Sequence, residues 1–376
     1  MSDTLKRLLL VGLSIVLTLV LCEVALRVTG KPESPIAGWK AEGHPPTDLN
    51  QFGFRGKKLD AEPDDFVVAL VGDSFVENVS APIESIPERL LEEELQKLGL
   101  PARVVSLGAR GYGQDQQLLA VQDFFQTHRA DMVVVWVIPD NDVWNNMFRT
   151  HYGGRPPKPT YRLEGDKLIP PTWEWMKRTE PPGLGWAIRR QTGELVYDGQ
   201  WEHRLPQPYQ SLETSPVPEP DKSWQKRWDD NPGFQLEEYD QDRNHDVLHL
   251  EPRSKRLDYG IKLTIRLLQE IQSVSQKNDA EFAVLFTGIW EAEAYDRPVD
   301  DLTWHELNGR FYGYSSVRYW ANLVELYGSF PLITIPCTVD DWQVSETDLH
   351  FNVDANRQLM RELAKRIVEQ EKVNAD

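Results

Sequence analysis

Short apolar runs rich in valine alternate with helical patterns along most of this chain, and the alternation limits the folds open to it. The clearest runs are Phe66–Val71, Asp131–Ile138 and Glu281–Phe286. A strand that is apolar at successive positions is typically buried on both faces, as in the middle of a parallel sheet. Strands separated by helices therefore predict an α/β fold with helices on both faces of the sheet.

The same pattern places the individual elements. The predicted strands are Phe66–Val71, Arg103–Leu107, Asp131–Ile138, Glu281–Phe286 and Leu332–Ile335. The predicted helices are Arg89–Leu98, Gln116–Thr127, Leu257–Val274, Ser315–Tyr327 and Asn352–Glu369. Ser85 and Glu88 have the spacing of a capping box, in which both side chains bond free N–H groups at a helix start. The elements predict a three-layer αβα sandwich around a five-stranded parallel sheet.

Residues 1–30 predict a membrane anchor. Lys6 and Arg7 precede an uncharged and mainly apolar stretch, Leu8–Cys22, and the segment continues to Val28. That extension brings the stretch to the ~20 residues that a membrane-spanning helix needs. We expect the leading basic pair to stay in the cytoplasm, which would leave the remaining domain outside, on the periplasmic or extracellular face.

Two other interpretations of this N-terminus stay open. A cleaved signal peptide is one, although Glu23 and Arg27 lie between the apolar stretch and the small residues near Gly30. Attachment of a lipid to Cys22 is the other. The retained anchor accounts best for the length and composition of the segment.

Residues 31–65 are polar and rich in proline and glycine, which predicts a linker before a domain at 66–376. The patch Asn50–Gly56 departs from this composition, since it contains Phe52 and Phe54. We expect both phenylalanines to pack against the domain.

Residues from about 144 to 256 interrupt the strand–helix rhythm. They include seven of the 13 tryptophans, together with proline clusters such as Arg155–Pro159. Long connections within a domain are usually functional or disordered, and disordered segments are poor in aromatic residues. We therefore predict an inserted subdomain over the mouth of the sheet. Its tryptophans would form its own small core, which is the preferred interpretation, or a platform that stacks on sugar rings.

Charge and motif content exclude several kinds of function. The formal net charge is −18, which would repel a phosphate backbone, so we expect no nucleic-acid partner. Cys22 lies in the apolar N-terminal stretch, so no disulfide with Cys337 is expected. The sequence has no P-loop, dinucleotide-binding glycine motif or Cys-x-x-Cys pair, and we predict neither a cofactor nor a metal.

Polar residues with complementary chemistry follow the predicted strands. Gly72-Asp73-Ser74 comes directly after the first strand, at the sheet edge where α/β proteins place their ligands. A serine nucleophile needs a base, a group that orients the base, and donors for the developing oxyanion. His350 and Asp348 are candidates for the base and the orienting acid. We expect Asp73 to bond loop backbone.

Three donors are candidates for an oxyanion hole. One is the backbone N–H of Ser74, at the strand-to-helix turn. Gly111 lies in a glycine-rich turn after the second strand and can offer a second N–H. Asn141 follows the third strand, and its amide can point into the same space.

In order and placement, these motifs resemble the SGNH, or GDSL, hydrolase superfamily over residues 66–138 and 257–369. The resemblance implies a flavodoxin-like SGNH fold. It further implies that Ser74 is the nucleophile, His350 the base and Asp348 the orienting acid. The Ser74 N–H, the Gly111 N–H and the Asn141 amide would form the oxyanion hole.

Two departures from the common family pattern bear on the substrate. Pro139 stands where the third block usually begins with glycine, and the Asp348-to-His350 spacing is one residue shorter than usual. The shorter spacing is similar to that of membrane-anchored bacterial members and of relatives that acetylate or deacetylate exopolysaccharides. The resemblance implies a serine esterase acting on an acylated carbohydrate or lipid of the cell envelope. An O-acyltransferase on exported polysaccharide, and a non-catalytic polysaccharide-binding factor tethered to the membrane, remain alternatives.

Overall fold

The structure is a computed structural model that describes residues 3–29, 44–147, 160–171, 247–251, 253, 255–288, 303–307, 310–345 and 348–375. Its α-helices are α1 Asp3–Thr29, α2 Ser74–Glu77, α3 Pro87–Lys97, α4 Gln114–Phe124, α5 Pro139–Met147, α6 Lys255–Lys277, α7 Ser316–Tyr327 and α8 Val353–Ala375. Its strands are β1 Phe66–Gly72, β2 Ala102–Gly108, β3 Met132–Val137, β4 Arg162–Glu164, β5 Lys167–Ile169, β6 Leu250–Glu251, β7 Glu281–Phe286, β8 Thr303–Leu307, β9 Arg310–Tyr314, β10 Leu332–Thr334, β11 Gln343–Ser345 and β12 Asp348–Phe351.

Five parallel strands form the central sheet, in the order β10-β7-β3-β1-β2. Successive side chains of a strand point to opposite faces, and in β1 they divide between two apolar cores. Val67, Ala69 and Val71 pack with α4 and α6, while Val68 and Leu70 pack with α3 and α8. The predicted αβα sandwich with a five-stranded parallel sheet is therefore confirmed.

Several smaller elements were not predicted. A three-stranded antiparallel sheet has the order β6-β9-β8, β4 and β5 form a hairpin, and β11 and β12 form an antiparallel ribbon. Helix α5, which begins at Pro139 directly after the third predicted strand, was not predicted either. Proline is well suited to the first turn of a helix, because its fixed φ is helical and its missing N–H would have no partner there.

The N-terminal patch packs as expected. Phe52 and Phe54 are buried in the core on the α4 side of the sheet. Asn50 holds the patch in place, because its amide donates to Ser106 O at 2.8 Å and its Oδ1 accepts from Phe52 N and Phe54 N. Residues 44–56 are hereafter called the strap, since Asn50 binds them to β2, the edge strand of the sheet.

None of the apolar window of helix α1 is buried inside the protein. Asp3–Ala25 is one helix of the described residues that is long and apolar enough to cross a membrane, with a mean hydropathy of 2.6. Trp144 lies in α5 and is buried in the domain core. The other six tryptophans of the predicted insertion lie outside the described residues. Both interpretations of them, a small core and a platform for sugar rings, therefore stay predictions.

The predicted capping box at the start of α3 is wrong. The helix begins at Pro87 after Ile86, and no side chain caps it. Glu88 instead turns into the domain, where it is fully buried and accepts a hydrogen bond from Lys57 N at 3.4 Å. Pro87 has no N–H to satisfy, which removes one donor that a cap would serve.

Burial of Glu88 predicts a pH-dependent stability. Burial raises the pKa of Glu88 from its ordinary 4.5 to about 8. Because the folded-state pKa is the higher one, the contribution of Glu88 to stability is complete below pH 4.5 and is lost as pH rises through about 8. Glu88→Gln should remove that dependence, which approaches about 1.4 kcal/mol per pH unit between the two pKa values.

Urea unfolding of the detergent-solubilised protein at several pH values across this window measures the effect. Glu84→Gln, at an exposed position just before α3, is the matched control and should keep the wild-type slope. A Glu88→Gln protein whose stability falls with pH as steeply as the wild type would show that another group is responsible.

Candidate active site

The turn after β1 depends on two glycines at the ends of neighbouring strands. Gly72 and Gly108 are register partners in β1 and β2, and both lie against Val76 of α2. A Cβ atom on either glycine would come 2.5 Å from a side-chain atom of Val76. Only glycine leaves space for Val76 at these strand ends, and this packing lets α2 begin at Ser74.

Asp73 organises the backbone of the same turn. Its Oδ1 accepts a hydrogen bond from Phe75 N at 2.9 Å, which confirms the expectation that it bonds loop backbone. Its Oδ2 accepts from the Asn141 amide at 3.1 Å. Burial raises the pKa of Asp73, and its hydrogen bonds only partly offset that effect.

Ser74, His350 and Asp348 are joined by hydrogen bonds although 276 positions separate the first two. The distance between Ser74 Oγ and His350 Nε2 is 2.8 Å, and that between His350 Nδ1 and Asp348 Oδ1 is 2.6 Å. Because a carboxylate only accepts, the proton of a neutral imidazole belongs on Nδ1. Nε2 then has a free lone pair that can accept the serine proton.

The sequence predicts a loop between the fifth strand and the last helix for Asp348 and His350, and the structure has a strand there instead. Asp348 and His350 lie in β12, which pairs with β11. Residues two apart on a strand project from the same face, so the Asp-x-His spacing turns both side chains toward one side. The His350 backbone N–H also donates to Asp348 Oδ1, at 3.1 Å.

Hydrogen bonds keep Asp348 ionised. Partial burial raises the pKa of Asp348, but hydrogen bonds from His350 and from Ser80 outweigh it, so that the net shift is downward. Ser80 Oγ donates to Asp348 Oδ2 at 2.9 Å. Ser80 was not predicted, because an exposed serine six residues beyond Ser74 gives no signal in the sequence.

Aromatic rings pack against the imidazole of His350. The Phe75 ring lies 4.9 Å from the His350 ring and 5.4 Å from Phe351, between ring centroids. Phe351 in turn stacks on Trp136 of β3, at 6.0 Å. These contacts restrict the orientation of the His350 ring.

The predicted oxyanion donors lie at the same edge of the sheet. Asn141 is in the first turn of α5, and its bond to Asp73 uses one of its two amide hydrogens. Gly111 is in the loop after β2, with a φ of 73° that favours glycine. It is connected to the Ser74 helix through its neighbour Arg110, whose N–H donates to Glu77 Oε2 at 2.6 Å.

Arg55 of the strap is a further residue of the site that the sequence analysis did not single out. Its buried guanidinium donates to Glu77 O at 3.2 Å, to Ala81 O at 2.7 Å and to Asn78 O. Asn78, with a φ of 38°, ends α2, and its amide donates to Phe351 O. Arg55 therefore fixes the segment that follows Ser74, and Asn78 ties it to the strand that carries His350.

Within the described ranges, no group of three or more His, Cys, Asp or Glu side chains is placed to hold a metal ion. The expectation that no cofactor is needed stays a prediction.

Comparisons with known proteins give structural matches but no sequence family. No family model matches the sequence, and no curated protein matches it. Solved structures that match include an acetyl xylan esterase, Est2A, from the rumen bacterium Butyrivibrio proteoclasticus. It has 8% identity over 84% of this chain and 66% of that one, with a TM-score of 0.35.

Two further matches are similar in kind. A carbohydrate acetylesterase family member from Sinorhizobium meliloti has 9% identity over 80% of this chain and 97% of that one, with a TM-score of 0.31. The SGNH-hydrolase family esterase AlinE4 has 19% identity over 22% of this chain, with a TM-score of 0.20. The match spans 44% of the length of AlinE4. At these values the likenesses assign no activity to this chain, so its function is argued from its own site.

Proposed function

We propose that this protein is a serine esterase of the SGNH type that cleaves an acyl ester through a covalent acyl-enzyme. The observation that carries the proposal is the pair of hydrogen bonds, 2.8 Å and 2.6 Å long, that joins Ser74 Oγ to His350 and His350 to Asp348. A hydroxyl, an imidazole and a carboxylate in this order are the parts that activate a serine nucleophile.

In the proposed reaction, His350 Nε2 takes the proton of Ser74 as Oγ attacks the ester carbonyl. Asp348 stabilises the imidazolium that forms. The N–H groups of Ser74 and Gly111 and the amide of Asn141 stabilise the tetrahedral oxyanion. The imidazolium then protonates the departing alcohol, which leaves an acyl group on Ser74. Water, deprotonated by His350, attacks the acyl-enzyme and releases the acid.

The cell envelope is the proposed place of action. We propose that α1 anchors the chain in a membrane with the catalytic domain outside, where the ester of an acylated carbohydrate or lipid is the substrate. The exposed apolar surface of α1 supports the anchor, because such a surface is stable in lipid and not in water. Assays with and without a carbohydrate acceptor, followed by product analysis, distinguish hydrolysis from acyl transfer.

Labelling with a fluorophosphonate tests the proposed chemistry without knowledge of the substrate. The full-length protein in detergent should form a covalent adduct that mass spectrometry maps to Ser74, and short-chain aryl esters should compete with labelling. The heat-denatured protein should stay unlabelled. Absence of the adduct on folded wild-type protein would overturn the esterase and favour a non-catalytic binding factor.

Asn141→Ala tests the oxyanion hole separately from the nucleophile. Loss of one oxyanion donor should lower kcat by roughly 10²–10³-fold, because that donor acts mainly in the transition state. Asn278→Ala, at the exposed end of α6, is the control and should keep the wild-type kcat. An Asn141→Ala protein with undiminished kcat would remove this amide from the proposed oxyanion hole.

A further inference from the structure

Glu77 links the helix that begins at Ser74 to the loop that contains Gly111, and we infer that Glu77 is a positioning residue for catalysis. The inference rests on the proposed function. Glu77 is the last residue of α2, whose first residue is Ser74, and its side chain is fully buried. It was not singled out in the sequence, where it reads as an ordinary charged residue.

Both oxygens of this buried carboxylate have partners. Oε2 accepts from the backbone N–H of Arg110 at 2.6 Å and lies 3.2 Å from Arg110 Nε. Oε1 lies 2.8 Å from Nε2 of His44 in the strap. Burial of an ion is costly unless hydrogen bonds and opposite charges compensate for lost water. The contacts of Glu77 meet that condition.

The partner of Oε2 is the residue that orients Gly111. The direction of the Gly111 N–H is set by the peptide plane between residues 110 and 111, and hence by ψ of Arg110. The Arg110 N–H that Glu77 binds belongs to the preceding peptide plane, between residues 109 and 110, and the Arg110 side chain leaves the same Cα. Glu77 therefore fixes the Cα of Arg110 from two directions, and the peptide that carries the Gly111 N–H continues from that atom. Gly111 itself has a φ of 73°. Because glycine can adopt many backbone conformations, contacts of its neighbours have to select this one.

The other end of Glu77 is fixed to the nucleophile helix. Its backbone N–H donates to Asp73 O at 3.1 Å, and its carbonyl accepts from Arg55 at 3.2 Å. The Ser74 N–H begins α2 and the Gly111 N–H lies in the loop after β2, and Glu77 joins that helix to that loop directly. Oxyanion donors are effective only within a few tenths of an ångström of the correct position, so this link should matter to kcat.

Glu77→Gln is the test, because glutamine keeps the size of the side chain and loses its charge. We expect a ten- to hundredfold loss of kcat per labelled Ser74, with KM changed by less than about twofold, as for a group that acts in the transition state. Glu84→Gln, exposed in the following turn, is the matched control. Normalisation to fluorophosphonate-labelled sites separates the effect from a loss of folded protein.

A double-variant measurement distinguishes positioning from a purely structural role. Glu77→Gln combined with Asn141→Ala should lose less kcat than the product of the two single losses, because both changes weaken the same oxyanion hole. Independent, multiplicative losses would overturn the inference. If Glu77→Gln does not fold, Glu77→Asp keeps the charge on a shorter side chain and should show the same selective loss of kcat. A Glu77 variant with a lowered Tm and a normal kcat would also overturn the inference.

The outcomes also separate this inference from the function on which it rests. A folded wild-type protein that neither hydrolyses aryl esters nor takes the label overturns the esterase, and the role of Glu77 with it. An active wild type whose Glu77→Gln variant matches the Glu84→Gln control overturns the positioning role alone.

Discussion

Replacement of Ser74 by alanine is expected to lower kcat for a short-chain aryl ester by roughly 10⁶-fold, the loss typical of an enzyme deprived of its serine nucleophile. The reason is the geometry of its hydroxyl, which lies 2.8 Å from His350 Nε2 at the start of α2. Without Oγ no acyl-enzyme can form. Steady-state hydrolysis, followed at saturating substrate, measures the loss.

A small residual rate should survive in Ser74→Ala. Oxyanion donors and substrate binding alone can leave about 10³–10⁴-fold acceleration over water. Ser85→Ala, in the turn before α3, is the control and should keep the wild-type kcat, since Ser85 does not cap that helix. Wild-type turnover in Ser74→Ala would refute the assignment of the nucleophile.

The second large effect is expected for Asp348→Asn, with a loss in kcat of roughly 10⁴-fold, as seen when a triad carboxylate becomes an amide. Asp348 Oδ1 accepts from both the His350 backbone and His350 Nδ1. An amide can turn its NH₂ toward Nδ1, which would force the imidazole proton onto Nε2. Nε2 could then no longer accept the proton of Ser74.

Asp354→Asn provides the matched control for this prediction. Asp354 is exposed in the first turn of α8, close in sequence but on another element, and its replacement should leave kcat unchanged. The KM of Asp348→Asn should stay near that of the wild type, because the change affects proton transfer. Equal kcat values for the two variants would show that Asp348 does not orient the base.

The central sheet could be predicted because its strands carry their own signal. β1, β3 and β7 are apolar at almost every position, and helical patterns between them leave a parallel arrangement as the simple solution. The β11–β12 ribbon carries no such signal. Apart from Phe351 its residues are partly or fully exposed, and their pairing depends on a register that tertiary contacts decide.

The candidate catalytic residues gave a clearer signal in the sequence than the residues that hold them in place. A serine directly after a predicted strand and a histidine two residues after an aspartate occur in the right order along the chain, and together they indicate a serine nucleophile with its base. Arg55, Glu77 and Ser80 look like surface residues in the sequence, and only folding brings them onto the turn. For Glu88 the sequence pattern was misleading. It has the spacing of a capping residue, but its side chain is buried in the domain and does not cap α3.

The contacts of the strap have a practical consequence for obtaining a soluble form of the protein. A cut at the start of the sheet, at residue 66, would remove His44, Asn50 and Arg55 together with helix α1. The carbonyls that follow α2 and one oxygen of Glu77 would then lose their donors. A shortened version intended for activity measurements should therefore start upstream of His44, even though the composition of residues 44–65 predicts only a linker.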